Sequence, residues 1–214
     1  MDAGLEAELP PPLRLALAWA TPGTRAATRA LFALDTRLAG SVRRGTEPLP
    51  LQMRLAWWRD TLGAPPEGWP RGDPLLDELR GWNSPAQLVP LVDGWERLLA
   101  DDLDSAAIRG FAVGREKGWS ALARHVGAPA TEAGSAVRAW ALADLAANLS
   151  AAEERARVLD EARGMALQLP RERALRPLAV LGGLGWRALQ RGGAPLLDGR
   201  ASALVALRLG MLGR

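Results

Sequence analysis

The chain has 214 residues, of which 48% are hydrophobic and 24% are charged, and its formal net charge is +3. These proportions are typical of globular proteins and exclude a disordered chain, which has fewer hydrophobic residues and a more one-sided charge. Cysteine is absent and His125 is the only histidine, so disulfides and thiolate metal sites are excluded and almost nothing is left to bind zinc.

The positive charge is almost entirely arginine, because Lys117 is the only lysine. Arginines alternate with acidic residues along most predicted helices, whereas nucleic-acid-binding proteins gather basic residues on one face, so we expect no nucleic-acid partner. No apolar run reaches the roughly 20 residues of a membrane span, and residues 1–12 lack the features of a secretory signal. We therefore expect a cytoplasmic protein, with peripheral contact to the inner membrane left open.

Apolar residues recur at helical spacing through most of the chain. Residues 1–12 are acidic and proline-rich, and we expect them to be flexible. Residues 45–50 predict a turn, and the proline- and glycine-rich stretch 63–72 predicts a loop. On either side of that turn, apolar residues three and four apart predict two helices, the first with Ala27, Leu31, Leu34 and Leu38, the second with Leu51, Leu55, Trp58 and Leu62.

Polar residues mark the starts of the following helices. Asp73 and Ser84 each precede a proline suited to the first helical position, and Asp104 precedes a longer helix that ends at Gly127. Thr131 opens the next helix. The inward faces of these last two helices are predicted to hold Ile108, Phe111, Trp119 and Leu122, and then Val137, Trp140, Ala141 and Leu145.

Three further helices are predicted: a charged one over residues 151–169, one with a late start or a kink over 171–190, and a short apolar one over 204–212. Strand-like alternation, internal repeats and linkers are not found in the sequence. The sequence therefore predicts an all-α protein, a single helical bundle that spans residues 1–214 as one domain.

Two neighbouring segments resemble a known family. Residues 31–43, Leu-Phe-Ala-Leu-Asp-Thr-Arg-Leu-Ala-Gly-Ser-Val-Arg, resemble the first signature helix of squalene and phytoene synthases, where a leucine-tyrosine-alanine-phenylalanine run precedes an aspartate-rich motif. Residues 52–60, Gln-Met-Arg-Leu-Ala-Trp-Trp-Arg-Asp, are similar to the tryptophan-bearing helix that follows in many members. The stretch with Leu169, Pro170, Arg173, Pro177 and Gly183 resembles the family's late helices.

The resemblance implies an isoprenoid-synthase fold, in which helices surround a deep apolar cavity and two aspartate-rich motifs face each other across its mouth. Carboxylates four residues apart share a helix face, where they can bind magnesium that bridges to the diphosphates of two prenyl substrates. Carried over to this sequence, the outer acids of the first motif fall at Ala39 and Arg43, and those of the second at Asn148 and Ala152. We therefore infer that the magnesium-dependent reaction is lost. The pattern fits the branch that contains the mitochondrial complex I assembly factors better than a working synthase.

The carboxylates nearest to the two motifs are Asp35 and Asp144. Asp144 and Asn148 are either remnants of a diphosphate site or polar groups that are hydrogen-bonded inside the bundle or simply exposed. Arg25 and Arg29 share a helix face, and their forked donors suit a phosphate or an anionic lipid headgroup, although exposed arginines are more often solvated. Trp57 and Trp58 are about 100° apart around a helix, so only one of them packs fully inward. The candidate ligand-binding residues are thus Arg25, Arg29, Asp35, Trp58, Asp144 and Asn148.

Three functions follow. The leading hypothesis is a non-catalytic relative of squalene and phytoene synthases that binds a prenyl lipid or a protein partner, with no catalytic residue, metal or cofactor. The alternative is a prenyltransferase that condenses two prenyl diphosphates with Mg²⁺ at an atypical site, and it predicts that Asp35 and Asp144 point into one cavity. The third is an arginine-driven nucleic-acid-binding protein, whose binding would fall steeply with salt.

Overall fold

The computed structural model describes residues 2–43, 48–100, 102–130 and 133–213. These residues form α-helices joined by turns and contain no strand, which confirms the all-α prediction. The helices are α1 (Asp2–Glu8), α2 (Pro11–Leu17), α3 (Pro22–Arg43), α4 (Pro48–Gly63), α5 (Pro74–Leu79), α6 (Val89–Glu96), α7 (Ser105–His125), α8 (Gly134–Asn148), α9 (Ala152–Glu161), α10 (Arg176–Leu189) and α11 (Gly199–Leu212). Short 3₁₀ turns lie at Pro66–Gly68, Pro85–Leu88, Arg97–Leu99 and Arg173–Leu175.

Buried side chains contributed by helices from α1 to α11 form one continuous hydrophobic core. Within it, α6 packs along α7 and α8 along α10, and glycines permit both close approaches. A Cβ atom on Gly114 of α7 would lie 2.5 Å from the Cα atom of Gly94 in α6. One on Gly185 of α10 would lie 2.7 Å from the Cα atom of Trp140 in α8. Because non-bonded carbon atoms in a packed core sit about 3.5–4.0 Å apart, larger residues at these points would push the helices apart.

The start of the chain is folded, so the expectation of a flexible segment over residues 1–12 is wrong for the described residues 2–12. Leu5, Leu9 and Leu13 are buried in the core. Leu5 belongs to α1, Leu9 to the turn between the two helices and Leu13 to α2, so each of these segments packs an apolar side chain against the rest of the bundle. The prolines do not prevent this, because Pro11 and Pro12 occupy the first turn of α2, where the backbone amides have no partner within the helix.

Two of the three predicted caps are confirmed. The carboxylate of Asp73 accepts a hydrogen bond from the backbone amide of Leu75 at 2.8 Å, and that of Asp104 accepts one from Ala107 at 2.7 Å. Ser84 makes no such hydrogen bond and precedes only a 3₁₀ turn, so α6 begins later, at Val89. The loop predicted over 63–72 follows α4 and contains only one short 3₁₀ turn.

The helix predicted over 151–169 is too long, because α9 ends at Glu161. Gly164 has a φ of +77°, a left-handed conformation that stops a helix and that glycine adopts without strain. The next helix, α10, starts late at Arg176, directly before Pro177, as predicted. The last helix, α11, starts at Gly199, five residues before the predicted segment 204–212.

Two predicted features fall on positions outside the described residues: the first half of the turn at 45–50, residues 45–47, and the start of a helix at Thr131. Residues 48–50 already belong to α4, and α8 is helical from Gly134. Among the described residues, no helix combines the length and apolarity required to cross a membrane.

Candidate ligand-binding site

A buried arginine joins three helices at the centre of the protein. Arg115 of α7 is 2% exposed and donates two hydrogen bonds to Asp35 of α3, from Nε to Oδ1 at 3.1 Å and from Nη2 to Oδ2 at 2.8 Å. The same Nη2 atom donates to Oδ2 of Asp144 in α8 at 2.9 Å. Asp35 also accepts a hydrogen bond from Nε1 of Trp95 at 2.8 Å. We call the three charged residues the Asp35–Arg115–Asp144 triad.

The close crossing of α6 and α7 positions the arginine beside aromatic rings. Trp95 and Arg115 each directly follow one of the two glycines that touch, Gly94 and Gly114, so the short distance between the helices brings the indole to the guanidinium. The Cζ atom of Arg115 lies 4.9 Å from the ring centroid of Trp95 and 4.2 Å from that of Trp140. Rings at these distances attract a cation through the negative face of their π system.

Burial acts in opposite directions on the pKa values of Asp35 and Arg115, and both pKa values end above their ordinary level. Burial raises the pKa of Asp35 above its ordinary value, although the charge of Arg115 and the hydrogen bond from Trp95 oppose that rise. Burial acts to lower the pKa of Arg115, but the charges of Asp35 and Asp144 outweigh this effect and leave it above its ordinary value. The guanidinium therefore keeps its positive charge at neutral pH.

The triad lies in the wall of a cavity of about 450 Å³, which we call the triad cavity. A second cavity of about 280 Å³ shares Asp144 and Asn148 with it and is otherwise mostly apolar. Small-molecule sites span roughly 300–1,000 Å³, so the triad cavity and its neighbour together have the size of such a site. Besides the triad, the larger cavity is lined by residues that include Glu8, Pro12, Leu13, Thr36, Ala39, Gly40, Trp140, Ala147, Asn148 and Leu196.

Two buried polar atoms of residues that line the triad cavity have no hydrogen-bond partner among the residues that the structure describes. They are Nη1 of Arg115 and Oγ1 of Thr36. Buried polar groups in proteins are nearly always hydrogen-bonded, so either atom would be stabilised by an additional hydrogen-bonding partner. The arginine can only donate, whereas the threonine hydroxyl can donate or accept.

Three of the six predicted site residues come together in this cavity. Asp35, Asp144 and Asn148 all line it, and Nδ2 of Asn148 donates to the backbone carbonyl of Asp144 at 2.7 Å. Asp144 and Asn148 are hydrogen-bonded, as the second interpretation expects, while their origin in a diphosphate site stays a prediction. Ala39, at the position of a motif aspartate, lines the cavity too, while the side chain of Arg43 lies outside the described residues.

Arg25 and Arg29 do not line the triad cavity. Arg25 is 2.9 Å from Glu6 and also donates to the backbone carbonyl of Leu17 at 3.0 Å. Arg29 is buried, and its Nε atom lies 3.1 Å from Oε1 of Glu78. Both arginines therefore tie α3 to neighbouring segments of the fold.

Trp58 is also separate from the triad cavity. It is buried in the core and packs edge-on against Trp57, with 4.9 Å between the ring centroids, while Trp57 is 42% exposed. This arrangement confirms that only one of the two adjacent tryptophans packs inward. Trp58 contributes to the wall of a shallower depression beside Arg37 and Thr36.

The triad does not fit a magnesium site. Mg²⁺ requires near-octahedral oxygen ligands at about 2.0–2.1 Å. Both oxygens of Asp35 and one oxygen of Asp144 instead accept hydrogen bonds from Arg115, whose positive charge lies between the two carboxylates and would repel the ion. In the part of the chain that the structure describes, no three histidine, cysteine or acidic side chains come together around a point where a metal could bind.

Arg115 is the site residue that the sequence analysis misses. It stands four residues after Phe111 and four before Trp119, in the middle of the predicted inward face of α7. A charged residue at such a position must have a buried partner, because an unpaired buried charge is very costly. That requirement is the signal in the sequence that could have identified it.

Comparisons with protein-family models, with curated proteins and with solved structures give no match for this chain. The resemblance to squalene and phytoene synthases accordingly stays a prediction.

Proposed function

We propose that this chain is a non-catalytic relative of the squalene and phytoene synthases, and that its triad cavity binds the uncharged chain of a prenyl lipid. The position of Arg115 between Asp35 and Asp144 carries the proposal. In the synthases that the sequence resembles, facing carboxylates bind magnesium. Here a guanidinium that belongs to the chain itself supplies the positive charge, so the carboxylates are compensated without a metal ion.

The charges around the triad cavity favour an uncharged ligand over a diphosphate. Its wall holds the carboxylates of Glu8, Asp35 and Asp144 and one guanidinium, that of Arg115. Glu8 is in turn paired with Arg37 at 3.1 Å, so no positive charge is left over at the wall for an anion. A diphosphate would meet carboxylates in a region of low dielectric, where like charges repel strongly.

A prenyl alcohol matches the remaining chemistry of the wall. Its hydrocarbon chain would bury apolar surface against side chains such as Leu13 and Leu196, at roughly 25 cal/mol for each Å² removed from water. Its hydroxyl would lie among the polar groups of the wall, which include Thr36 and the triad. The neighbouring apolar cavity would lengthen the space for the chain.

The proposal is tested by titrating the purified protein with farnesol, geranylgeraniol and the corresponding diphosphates by calorimetry. We expect the alcohols to bind. The diphosphates should bind no more tightly than the alcohols, whether or not Mg²⁺ is present. Ala147→Trp places a large ring in the cavity and should weaken alcohol binding at least about tenfold, or about 1.4 kcal/mol. Ala156→Trp, the same change at an exposed position of α9, is the matched control. If the wild type binds neither alcohol, or if the two variants bind equally, a prenyl lipid is excluded as the ligand of this cavity and a protein partner is favoured.

One observation favours the prenyltransferase alternative: Asp35 and Asp144 line the same cavity, as that hypothesis requires. It also requires a divalent-ion site that the triad does not fit, such as one completed by a partner chain. The test is diphosphate release from farnesyl or geranylgeranyl diphosphate with Mg²⁺ and a reduced nicotinamide cofactor. Magnesium-dependent release that disappears in Asp144→Asn would establish an enzyme and overturn the non-catalytic proposal. If the protein binds the prenyl alcohols and releases no diphosphate, the result supports the non-catalytic proposal.

A further inference from the structure

Helix α11 exposes most of its large apolar residues and buries Leu209 together with three small residues. Ser202, Ala206, Leu209 and Gly210 face the core, whereas Leu204 is 67% exposed and Met211 is 61% exposed. Leu207, also exposed, lies between them at helical spacing, so Leu204, Leu207 and Met211 form one continuous strip on the solvent side. We call these three residues the α11 strip. A surface helix normally has the opposite arrangement.

The opposite side of α11 packs closely against the protein. The α11 strip is therefore not the core-facing side of a wrongly rotated helix. A Cβ atom on Gly210 would lie 2.1 Å from the indole of Trp19, which shows how closely the backbone of α11 packs there. Leu209 fits over Gly183 of α10 in the same way, since a Cβ on that glycine would lie 2.1 Å from its Cδ1 atom. The α11 strip therefore points away from the protein, while Leu209 and Gly210 hold the helix in place on its other side.

The last quarter of the sequence, which includes α11, is strongly basic, in contrast to the rest of the chain. Residues 163–214 contain nine arginines and two acids, Glu172 and Asp198, a formal charge of +7 within a chain of net charge +3. Residues 1–162 therefore carry −4. Two of the arginines, Arg200 and Arg208, are exposed on α11 itself, within about 40° of Leu204 around the helix axis.

We propose that α11 docks on the surface of an anionic lipid membrane, with the α11 strip inserted among the acyl chains and the surrounding arginines at the headgroups. Interfacial helices combine an apolar face with basic residues, and their binding depends on apolar area together with attraction to anionic lipids. Arginine side chains beside the strip can extend their guanidinium groups to the headgroups while their stems lie along the apolar boundary. At 14 residues, α11 is too short to span a bilayer.

The charge distribution favours a lipid surface over a second copy of this chain. A symmetric dimer through α11 would bring two segments of +7 together, and these would repel each other. An anionic membrane offers the opposite charge. The inference is independent of what the triad cavity binds.

Co-sedimentation of the full chain with vesicles tests this proposal. We expect binding to phosphatidylcholine vesicles that contain phosphatidylglycerol, little binding to phosphatidylcholine alone, and a large loss of binding at high salt. Replacing the α11 strip by glutamine in a triple variant, L204Q/L207Q/M211Q, should weaken binding at least about tenfold, because it removes the apolar area that the acyl chains would bury. Arg200→Gln should weaken it about fivefold, the usual contribution of one basic residue near an anionic surface.

The matched control uses a second exposed apolar strip. Leu49, Met53 and Trp57 lie four residues apart on α4 and are also exposed, but they are far in sequence from the basic segment. The variant L49Q/M53Q/W57Q should bind anionic vesicles as the wild type does, and circular dichroism should show that both triple variants are folded. The proposal is overturned if the wild type does not bind anionic vesicles, if both triple variants lose binding equally, or if the α11 variant loses only self-association in ultracentrifugation.

Discussion

Arg115 and Asp35 form a two-point ion pair in the interior of the bundle, with parallel hydrogen bonds of 3.1 and 2.8 Å. Arg115→Met is expected to lower the free energy of unfolding by about 3–5 kcal/mol, because it leaves two carboxylates without their counter-charge. Urea denaturation measures this change. Arg109→Met on the same helix is the control, since Arg109 is exposed and its ion pair with Glu161 should contribute less than about 1 kcal/mol.

A double-mutant cycle separates the ion pair from the loss of packing. Once the arginine is absent, Asp35→Asn removes a charge that no longer has a partner, so the double variant should cost less than the sum of the two single variants by about 1–3 kcal/mol. Additive costs would show that the two residues do not stabilise each other.

Removing the guanidinium should create sensitivity to divalent cations. In Arg115→Ala, the carboxylates of Asp35 and Asp144 face each other across the space that the arginine fills in the wild type. Magnesium at about 10 mM, above the roughly millimolar affinity of weak carboxylate sites, should then raise the melting temperature of the variant and not that of the wild type. Arg115→Lys keeps the charge and should behave as the wild type. Equal responses of wild type and Arg115→Ala would contradict the idea that the arginine takes the place of a cation.

The members of the triad could have been predicted singly from the sequence. Asp35 stands four residues after Leu31, Arg115 four after Phe111 and Asp144 four after Trp140, so each charged residue lies on the inward face of its own helix. Opposite charges on inward faces must form ion pairs with each other or lie outside the core. The sequence thus contains the signal for a buried ionic network, and two of its three members are among the predicted site residues.

The geometry of the network could not be predicted, because it depends on contacts between helices that are distant in sequence. Arg115 bonds to acids on α3 and α8 and lies beside the contact of α7 with α6 at Gly114 and Gly94, and an isolated glycine in a helical pattern does not reveal its partner. Helix ends are also uncertain for a local reason. The stop of α9 before Gly164 depends on a left-handed turn that competes with continued helical propensity.

The contact between Gly94 and Gly114 should tolerate no side chain. Gly114→Ala brings a Cβ atom to 2.7 Å from the carbonyl oxygen of Pro90 and still closer to Gly94, so the helices must separate. We expect a loss of about 1–3 kcal/mol in the free energy of unfolding from overpacking, together with a shift in near-ultraviolet circular dichroism as Trp95 moves. Gly23→Ala, in an open position on α3, should be neutral or stabilise by up to about 1 kcal/mol. Similar effects of the two substitutions would argue against the close crossing.

Asp104 and Ser84 are both predicted as helix caps, but only Asp104 makes a capping hydrogen bond, so their removal should change the free energy of unfolding by different amounts. Asp104→Ala removes a hydrogen bond to the backbone amide of Ala107 at the start of α7 and should cost about 1 kcal/mol. Ser84→Ala should change the free energy of unfolding by no more than a few tenths, since the Ser84 hydroxyl makes no capping hydrogen bond. Chemical denaturation of both variants measures the difference, and equal costs would contradict the assignment of Asp104 as the functional cap.

The imidazole of His125 should make the stability of the protein depend on pH. It stacks on Trp82 with 4.8 Å between ring centroids and 5° between the planes, and burial lowers its pKa below the ordinary value of 6.5. Between the lowered pKa and 6.5, the unfolded chain therefore binds more protons than the folded protein, so the free energy of unfolding rises with pH. The contribution is fully present above 6.5 and is lost as the pH falls through the lowered pKa. His125→Gln stays uncharged throughout and should have a shallower slope in urea denaturation series across this window. If both proteins lose stability equally on acidification, other groups cause the dependence and the histidine is not kept neutral by its burial against Trp82.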